Sequence, residues 1–224
     1  MSKKMILYNF DPSSPVRAVK IVAKILGLEL ELRDVNLLEH EHLAESFLKL
    51  NPEHTVPTLI DNGFVIWDSH AICTYLIDKY GEDDALYPKD LQLRARCNQR
   101  LFFDAASLFP RLFACGYHVF FHGGTEITKD KTDPMYSAYE ILEAFLAEDP
   151  FLVGNNFTIA DICVALTLSY LVTYAPLKED KHSKILAWLN RVDQTIPFFA
   201  EFNTKFKNNF HESVLSTLEK NKQI

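Results

Sequence analysis

The chain lacks several features that would settle a function class at once, and each absence narrows the field. No apolar run approaches the roughly 20 residues that a membrane-crossing helix needs. Positive charge is in deficit: 23 Lys and Arg against 30 Asp and Glu leave a net charge of -7, which argues against nucleic acid or an anionic membrane as the main partner. Cysteine is scarce and scattered. Cys73, Cys97, Cys115 and Cys163 form neither a CxxC pair nor a zinc-ligand spacing, so each is expected to be a small buried hydrophobe in a reducing compartment, with no metal. There is no internal repeat and no low-complexity tract. The opening MSKKMILY has lysines but too short an apolar stretch and no cleavage site for a signal peptide. A cytoplasmic protein is therefore expected. At 224 residues and 48% hydrophobic, the chain can build a sizeable core in one large or two small domains, and disorder is not expected.

What is present centres on Asn51 to Ala71, NPEHTVPTLIDNGFVIWDSHA. Thr58-Leu59-Ile60 and Phe64-Val65-Ile66-Trp67 are short and β-prone, and Asp61-Asn62-Gly63 between them carries the Asn-Gly hairpin signal. Pro57 stands at the mouth of the first strand, where it breaks no ladder, and biases Val56 towards extended backbone. Asp68 or Ser69 then reads as the N-cap of a helix through Ile72, Tyr75, Leu76 and Lys79. Free N–H groups and the positive dipole end at such a helix start suit a carboxylate.

These residues resemble the glutathione-binding half of a cytosolic glutathione S-transferase. The form NPEHTVPTL…WDSHAI…YL is most similar to the insect delta and epsilon classes, epsilon especially. The resemblance implies a cis bond before Pro57 and an acidic-Ser pair, Asp68-Ser69, that grips the γ-glutamyl end of glutathione.

The rest of the chain fits that expectation. Met5 to Tyr8 is a buried strand candidate, followed by a loop over 9–14. Ser14-Pro15 reads as N-cap and N1 of a helix carrying Val16, Val19, Val22, Ala23 and Leu26, which Gly27 ends. Leu28 to Val35 alternates as a half-buried strand, and His42 to Leu50 reads as a shorter helix. The order βαβαββα over residues 1–80 is what a thioredoxin-like domain requires, although pattern alone leaves other small α/β sandwiches open. Residues 81–90 are polar and turn-rich, a linker candidate. From 91 to 224 only helical periodicity remains, so an all-helical domain is expected. In it Phe102, Ala106, Phe109, Phe113, Tyr117 and Phe120 share one face, and most of these rings are expected in the core. Pro110 should kink that helix. Asp133-Pro134 should open the next helix, with Tyr136, Tyr139, Leu142, Phe145 and Leu146 inward. Thr158 with Asp161 is a capping-box pattern before a helix, Ile162 to Tyr174, that is apolar nearly all round and hence buried. Glu179 to Val192 is a further amphipathic helix, and after Pro197 a charged helix pair is expected. Gly154 with Thr158-Ile159-Ala160-Asp161 is a second, independent family resemblance.

Glutathione transfer is attack by a thiolate, and a free thiol with pKa about 8.5 is only slightly ionised at neutral pH. A hydrogen bond donated to the thiolate in a sheltered site can lower that value by about 2 units, roughly 2.7 kcal/mol. The donor belongs just after the first strand, at the start of the first helix. In delta and epsilon enzymes the motif there is Ser-Pro-Pro-x-Arg, and its serine is the thiolate partner. Counting back from Arg17 puts Ser13 in that place, with Ser14 replacing the first proline. Tyr8 is an alternative donor that reads better as core. The loop holds no cysteine, which argues against thiol-exchange chemistry.

For the rest of the tripeptide the resemblance implies His42 and His54 at the glycine end. It adds Thr55, Val56 and Pro57 to the glutathione site, with Val56 offering backbone N–H and C=O to the cysteinyl unit as an added strand does. Asp68 would pair with the γ-glutamyl ammonium, Ser69 would bind its carboxylate, and His70 would stand beside them. His40 has no counterpart in the motif. A small hydrophobic electrophile would lie against Phe109, Leu112, Phe113, Tyr117 and Phe120, a greasier wall than relatives with more basic residues after Pro110. The expectation is a homodimeric detoxifying transferase that uses glutathione as co-substrate, needs no cofactor, and could share its site with peroxide reduction or dehydrohalogenation. The rivals are a non-catalytic relative that kept the fold and a thiol–disulfide oxidoreductase.

Overall fold

A computed structural model describes residues 5–223. The chain forms two compact units, Met1–Tyr87 and Pro88–Ile224.

The first unit runs β1 (Met5–Asn9), α1 (Ser14–Ile25), β2 (Leu30–Asp34), a 3₁₀ turn (Glu41–Leu43), α2 (Glu45–Leu50), β3 (Thr58–Asp61), β4 (Phe64–Trp67) and α3 (Ser69–Tyr80). The strands make one sheet in the order β2-β1-β3-β4. β1 and β2 are parallel, which requires the α1 crossover; β3 and β4 are joined by the hairpin and are antiparallel to their neighbours. Asn62 and Gly63 both have positive φ (52° and 90°), the conformation a two-residue turn needs to match strand twist. α1 buries Val16, Val19, Val22 and Ala23 completely or nearly so. It stops in a left-handed Gly27 (φ 65°), with Gly27 N–H donating to Lys24 O at 3.2 Å and Leu28 N–H to Ala23 O at 2.9 Å, the paired bonds of a Schellman end.

Two local expectations change. The helix read over His42 to Leu50 is split, because Ala44 is extended (φ -62°, ψ 142°) and restarts the chain as α2. The α1 N-cap is Ser13, one residue before the expected Ser14, which is the first helical residue and is buried.

The hairpin is tied to α3 through Asp61. Its buried carboxylate accepts from Tyr75 Oη (2.7 Å), Lys79 Nζ (2.6 Å) and Tyr80 Oη (2.6 Å). Burial works to raise its pKa, but these donors outweigh it and hold the carboxyl at about 2.

The second unit is helical: α4 (Leu91–Phe103), a π turn (Asp104–Leu108), α5 (Phe109–Phe121), α6 (Lys129–Phe145), α7 (Ile159–Tyr174), α8 (Ser183–Thr195) and α9 (Phe199–Asn221). The irregularity expected at Pro110 takes the form of the π turn. Phe109 N–H reaches back five residues to Asp104 O, and Pro110, which has no N–H to give, falls in the first turn of α5. α6 starts a turn earlier than Asp133, with Pro134 inside it. α8 starts at Ser183 rather than Glu179, and the expected C-terminal pair is one helix of 23 residues.

α7 is the buried axis of this unit, and its first turn is held by Asp161. That carboxylate accepts from Thr158 N–H (2.8 Å), Thr158 Oγ1 (3.1 Å), Leu152 N–H (2.9 Å) and the Trp188 indole N–H (2.8 Å). The face of α4–α5 turned to the core is Cys97, Leu101, Leu108, Leu112, Cys115 and Val119. The aromatic face expected in the core lies on the other side: Phe102, Phe113, Tyr117 and Phe120 are exposed. The reason is shape, since small and aliphatic side chains allow close packing against α7 where a row of rings would not.

Candidate active site

The sheet register places the candidate residues together. Arg33 on β2, Tyr8 on β1, Thr58 on β3 and Trp67 on β4 form one row across the sheet. β1 and β2 end one residue beyond this row, β4 ends in it, and β3 begins in it. All four connections carrying candidate residues therefore leave one end of the sheet: Ser13 after β1, His42 after β2, His54 to Pro57 before β3, and Asp68 to His70 after β4. Three strand spacings of about 4.8 Å make that end roughly 14 Å wide. A tripeptide extended at about 3.3–3.6 Å per residue covers roughly 10–11 Å of it, most of that width.

Ser13 is half-buried at the start of α1. Its Oγ accepts from Val16 N–H at a long 3.4 Å, and its N–H donates to Phe10 O at 2.8 Å. The hydroxyl proton is not used by the cap, so the group can donate outward while the helix end supports negative charge before it. Ser14 is 3% exposed, which separates the two adjacent hydroxyls by access.

The loop before β3 is shaped by Asn51, whose role the sequence reading missed. Its fully buried side-chain amide donates to Thr55 O (3.1 Å), Thr55 Oγ1 (3.2 Å) and Thr58 Oγ1 (2.9 Å), and its Oδ1 accepts from Glu53 N–H (2.9 Å). The only signal was an Asn-Pro at a helix stop. This anchor presents Val56 and the cis Val56–Pro57 bond at the sheet end.

At α3 the N-cap is Asp68. Its Oδ1 accepts from His70 N–H (2.8 Å) and Ala71 N–H (3.1 Å), leaving Oδ2 for an incoming cation. Burial works to raise its pKa, but the His70 imidazole at 3.5 Å and the two N–H groups hold it below the ordinary carboxylate value. Asp68 has φ 71° and ψ 121°, a region that costs a non-glycine residue about 1–3 kcal/mol. Ser69 is buried as the first residue of α3. His42 and His54 bring their rings to 5.9 Å, and His40, which had no counterpart in the motif, stands 6.1 Å from His42.

In the second unit the candidate electrophile residues divide. Phe113 and Tyr117 stack at 5.9 Å and Tyr117 meets Phe121 at 5.3 Å, forming an exposed ladder along α5. Phe109 is half-buried one turn earlier. Phe120 turns towards Phe210 of α9, at 6.2 Å. Leu112 is buried on the core face with Cys115 and Val119, on the side of α5 opposite the ladder.

Among the described residues no helix is long and apolar enough to cross a membrane, and no group of three or more His, Cys, Asp or Glu is placed to hold a metal ion. Burial pushes the Cys97 and Cys115 thiols up to about 11, so neither is a ready nucleophile.

Comparison with known proteins finds the same family in both units. The glutathione S-transferase N-terminal domain matches residues 7–84, and the C-terminal domain of the same family matches residues 106–194. A curated relative, glutathione S-transferase 1 of Manduca sexta, is 44% identical over 85% of this chain and 88% of its own. The chain belongs to the glutathione S-transferase family. An epsilon-class glutathione S-transferase from the housefly, Musca domestica, superimposes with a TM-score of 0.91 at 42% identity, over 96% of this chain and 98% of that one. A glutathione transferase homolog from Drosophila mojavensis, solved with bound glutathione, gives 0.91 at 40% identity, over 96% and 97%. The thioredoxin-like unit followed by a helical unit is thus the glutathione S-transferase fold, and the enzyme class is glutathione S-transferase.

Proposed function

We propose that this glutathione S-transferase conjugates glutathione to small hydrophobic electrophiles in detoxification, with Ser13 donating a hydrogen bond to the glutathione thiolate. The observation that carries this reading is the single row Arg33–Tyr8–Thr58–Trp67, beyond which Ser13, Val56 and Asp68 all emerge at one end of the sheet. An extended tripeptide across that end has its γ-glutamyl group at Asp68 and Ser69, its cysteine backbone paired with Val56, and its glycine at His42 and His54. The thiol between them meets Ser13. Asp68 Oδ2 takes the ammonium, the first turn of α3 takes the γ-glutamyl carboxylate, and Thr55, Pro57 and His70 shape the walls. A Ser13 hydrogen bond that lowers the thiol pKa by about 2 units makes the thiolate the main species near neutral pH. Phe109, Phe113, Tyr117 and Phe120 are assigned to the electrophile on their aromatic character and accessibility; Leu112 acts behind them through packing.

Glutathione is a co-substrate in this reading and no cofactor takes part. A cytoplasmic homodimer belongs to the same proposal, and sedimentation of the purified protein tests the dimer. The deciding experiment is turnover of a generic aryl halide with glutathione by the native protein and by Ser13→Ala. Activity in the native protein that persists undiminished in Ser13→Ala refutes the serine role, and failure of the native protein to bind glutathione refutes the site.

A further inference from the structure

Three histidines stand in a row at the end of β2 and before β3. The His40 and His42 ring centroids are 6.1 Å apart, and those of His42 and His54 are 5.9 Å apart. His40 and His54 both have left-handed backbone, φ 59° and 45°, so both ends of the row sit in a conformation uncommon for residues other than glycine. His42 Nδ1 is buried and without a hydrogen-bond partner. Such a cluster is costly to charge when empty, because each imidazolium repels the next and the buried nitrogen has no acceptor. Burial, and then His54 and His40, all work to lower the His42 pKa. The acidic residues nearest to these histidines in sequence are Glu39, Glu41, Glu45 and Glu53. Glu41 accepts from Asn36 N–H at 2.7 Å, Glu45 pairs with Lys49 at 2.7 Å, and the charges acting on His42 are those of the two histidines. The cluster therefore gains its counter-charge from outside.

We propose that His40, His42 and His54 form one carboxylate-binding row that takes up a proton from solvent as it receives the glycine carboxylate of glutathione, with His40 its third, specificity-determining member. This rests on the glutathione reading above. It predicts that affinity for the glycine end rises as pH falls from 8 to 6, since a carboxylate beside His42 favours its protonated form, which burial and the neighbouring imidazoles disfavour in the empty site. Ionisation of the thiol follows the opposite trend, so the probe must lack it.

The test is titration calorimetry of the native protein and His40→Asn with S-methylglutathione, in buffers of different ionisation enthalpy, alongside its glycyl ethyl ester. Asparagine tolerates left-handed backbone and so spares the fold at this position. For S-methylglutathione, proton uptake in the native protein and an affinity about threefold to fivefold lower in His40→Asn, with less uptake, are expected. The ester, with no carboxylate, should bind both proteins alike and take up no proton through the row. Equal affinity and equal uptake in the two proteins would overturn the proposal. So would the same loss for the ester, which would show that His40 acts on the loop and not on the carboxylate. If the native protein binds neither probe at any pH, the glutathione reading itself fails.

Discussion

Two helices in this molecule begin with the same chemical device and use it differently. α3 starts at Asp68 with Ser69 beside it; α7 starts at Thr158 with Asp161 in its first turn. Each sets a carboxylate against backbone N–H groups, with a hydroxyl residue beside it. Asp161 is fully buried, and its two oxygens are saturated by Leu152, Thr158 and Trp188. Asp68 is exposed, has both its backbone bonds on one oxygen, and sits on strained backbone. A saturated, buried carboxylate has nothing left to offer a ligand and acts on the fold. A half-used, exposed one at a strained position has both capacity and access. Burial of the acid, more than the motif, decides which helix start is a binding site.

The largest effect should come from the buried member. Asp161→Ala leaves the Leu152 and Thr158 N–H groups and the Trp188 indole N–H without their acceptor. The expected loss is about 3–5 kcal/mol of unfolding free energy, read by chemical denaturation. Thr158→Ala should cost less, about 0.5–2 kcal/mol. Glutathione affinity of the folded fraction should hold in both. A selective loss of affinity at unchanged stability would erase the contrast between the two helix starts.

Next in size is Ser13→Ala. If the hydroxyl stabilises the thiolate, turnover at neutral pH should fall up to about 100-fold, the equivalent of 2 pKa units. The pKa of bound glutathione, followed by thiolate absorbance, should return towards the free value. The lost cap adds about 0.5–2 kcal/mol of destabilisation. Ser14→Ala should leave turnover nearly unchanged, because Ser14 is buried and does not cap α1. Loss at Ser14 alone would transfer the role to the neighbouring hydroxyl.

Asp68 sharpens the comparison further. Asp68→Ala should weaken glutathione binding about tenfold, the scale of a hydrogen bond to a charged group. Asp68→Gly should show the same loss of affinity with stability nearly unchanged. Glycine caps only a few tenths of a kcal/mol worse and accepts the φ of 71° without strain. If Asp68→Gly lowers stability as much as Asp161→Ala, the α3 start is structural after all.

Much of this was legible before any coordinates. Asn-Gly between two apolar runs fixed the hairpin, the spacing of Val16, Val19 and Val22 fixed α1, and Thr158 with Asp161 fixed the cap of α7, because each depends on residues close in sequence. The misses share a different cause. Asn51 organises its loop through Thr55 and Thr58 only when buried, and burial is a tertiary property. The Phe102–Phe120 stripe was periodic enough for a core face, yet Leu101, Leu108, Leu112 and Val119 are equally periodic on the other side. Periodicity marks a face but cannot say which of two apolar faces meets α7. The His40–His42–His54 row likewise needs the return of the chain before β3 to bring His54 to His42.

The smallest effect tests the same exposure rule on α5, where the two apolar faces of one helix stand in for the two helix starts. Phe113 is 62% exposed and stacks on Tyr117, so Phe113→Ala removes little buried area and should cost less than about 1 kcal/mol in a thermal melt. The KM for glutathione should stay within about twofold, since the proposed tripeptide contacts all lie in the first unit. What should move is the ranking of electrophiles. An apolar wall discriminates by shape at roughly 1–3 kcal/mol per methylene-sized change, so bulky and slim aryl halides should lose rate by different factors. A uniform loss across electrophiles in well-folded protein would mean that the ladder does not select substrate. The aromatic Phe120–Phe210 pair, with Tyr170 stacked on Phe210 at 4.2 Å, would then be the next wall to truncate.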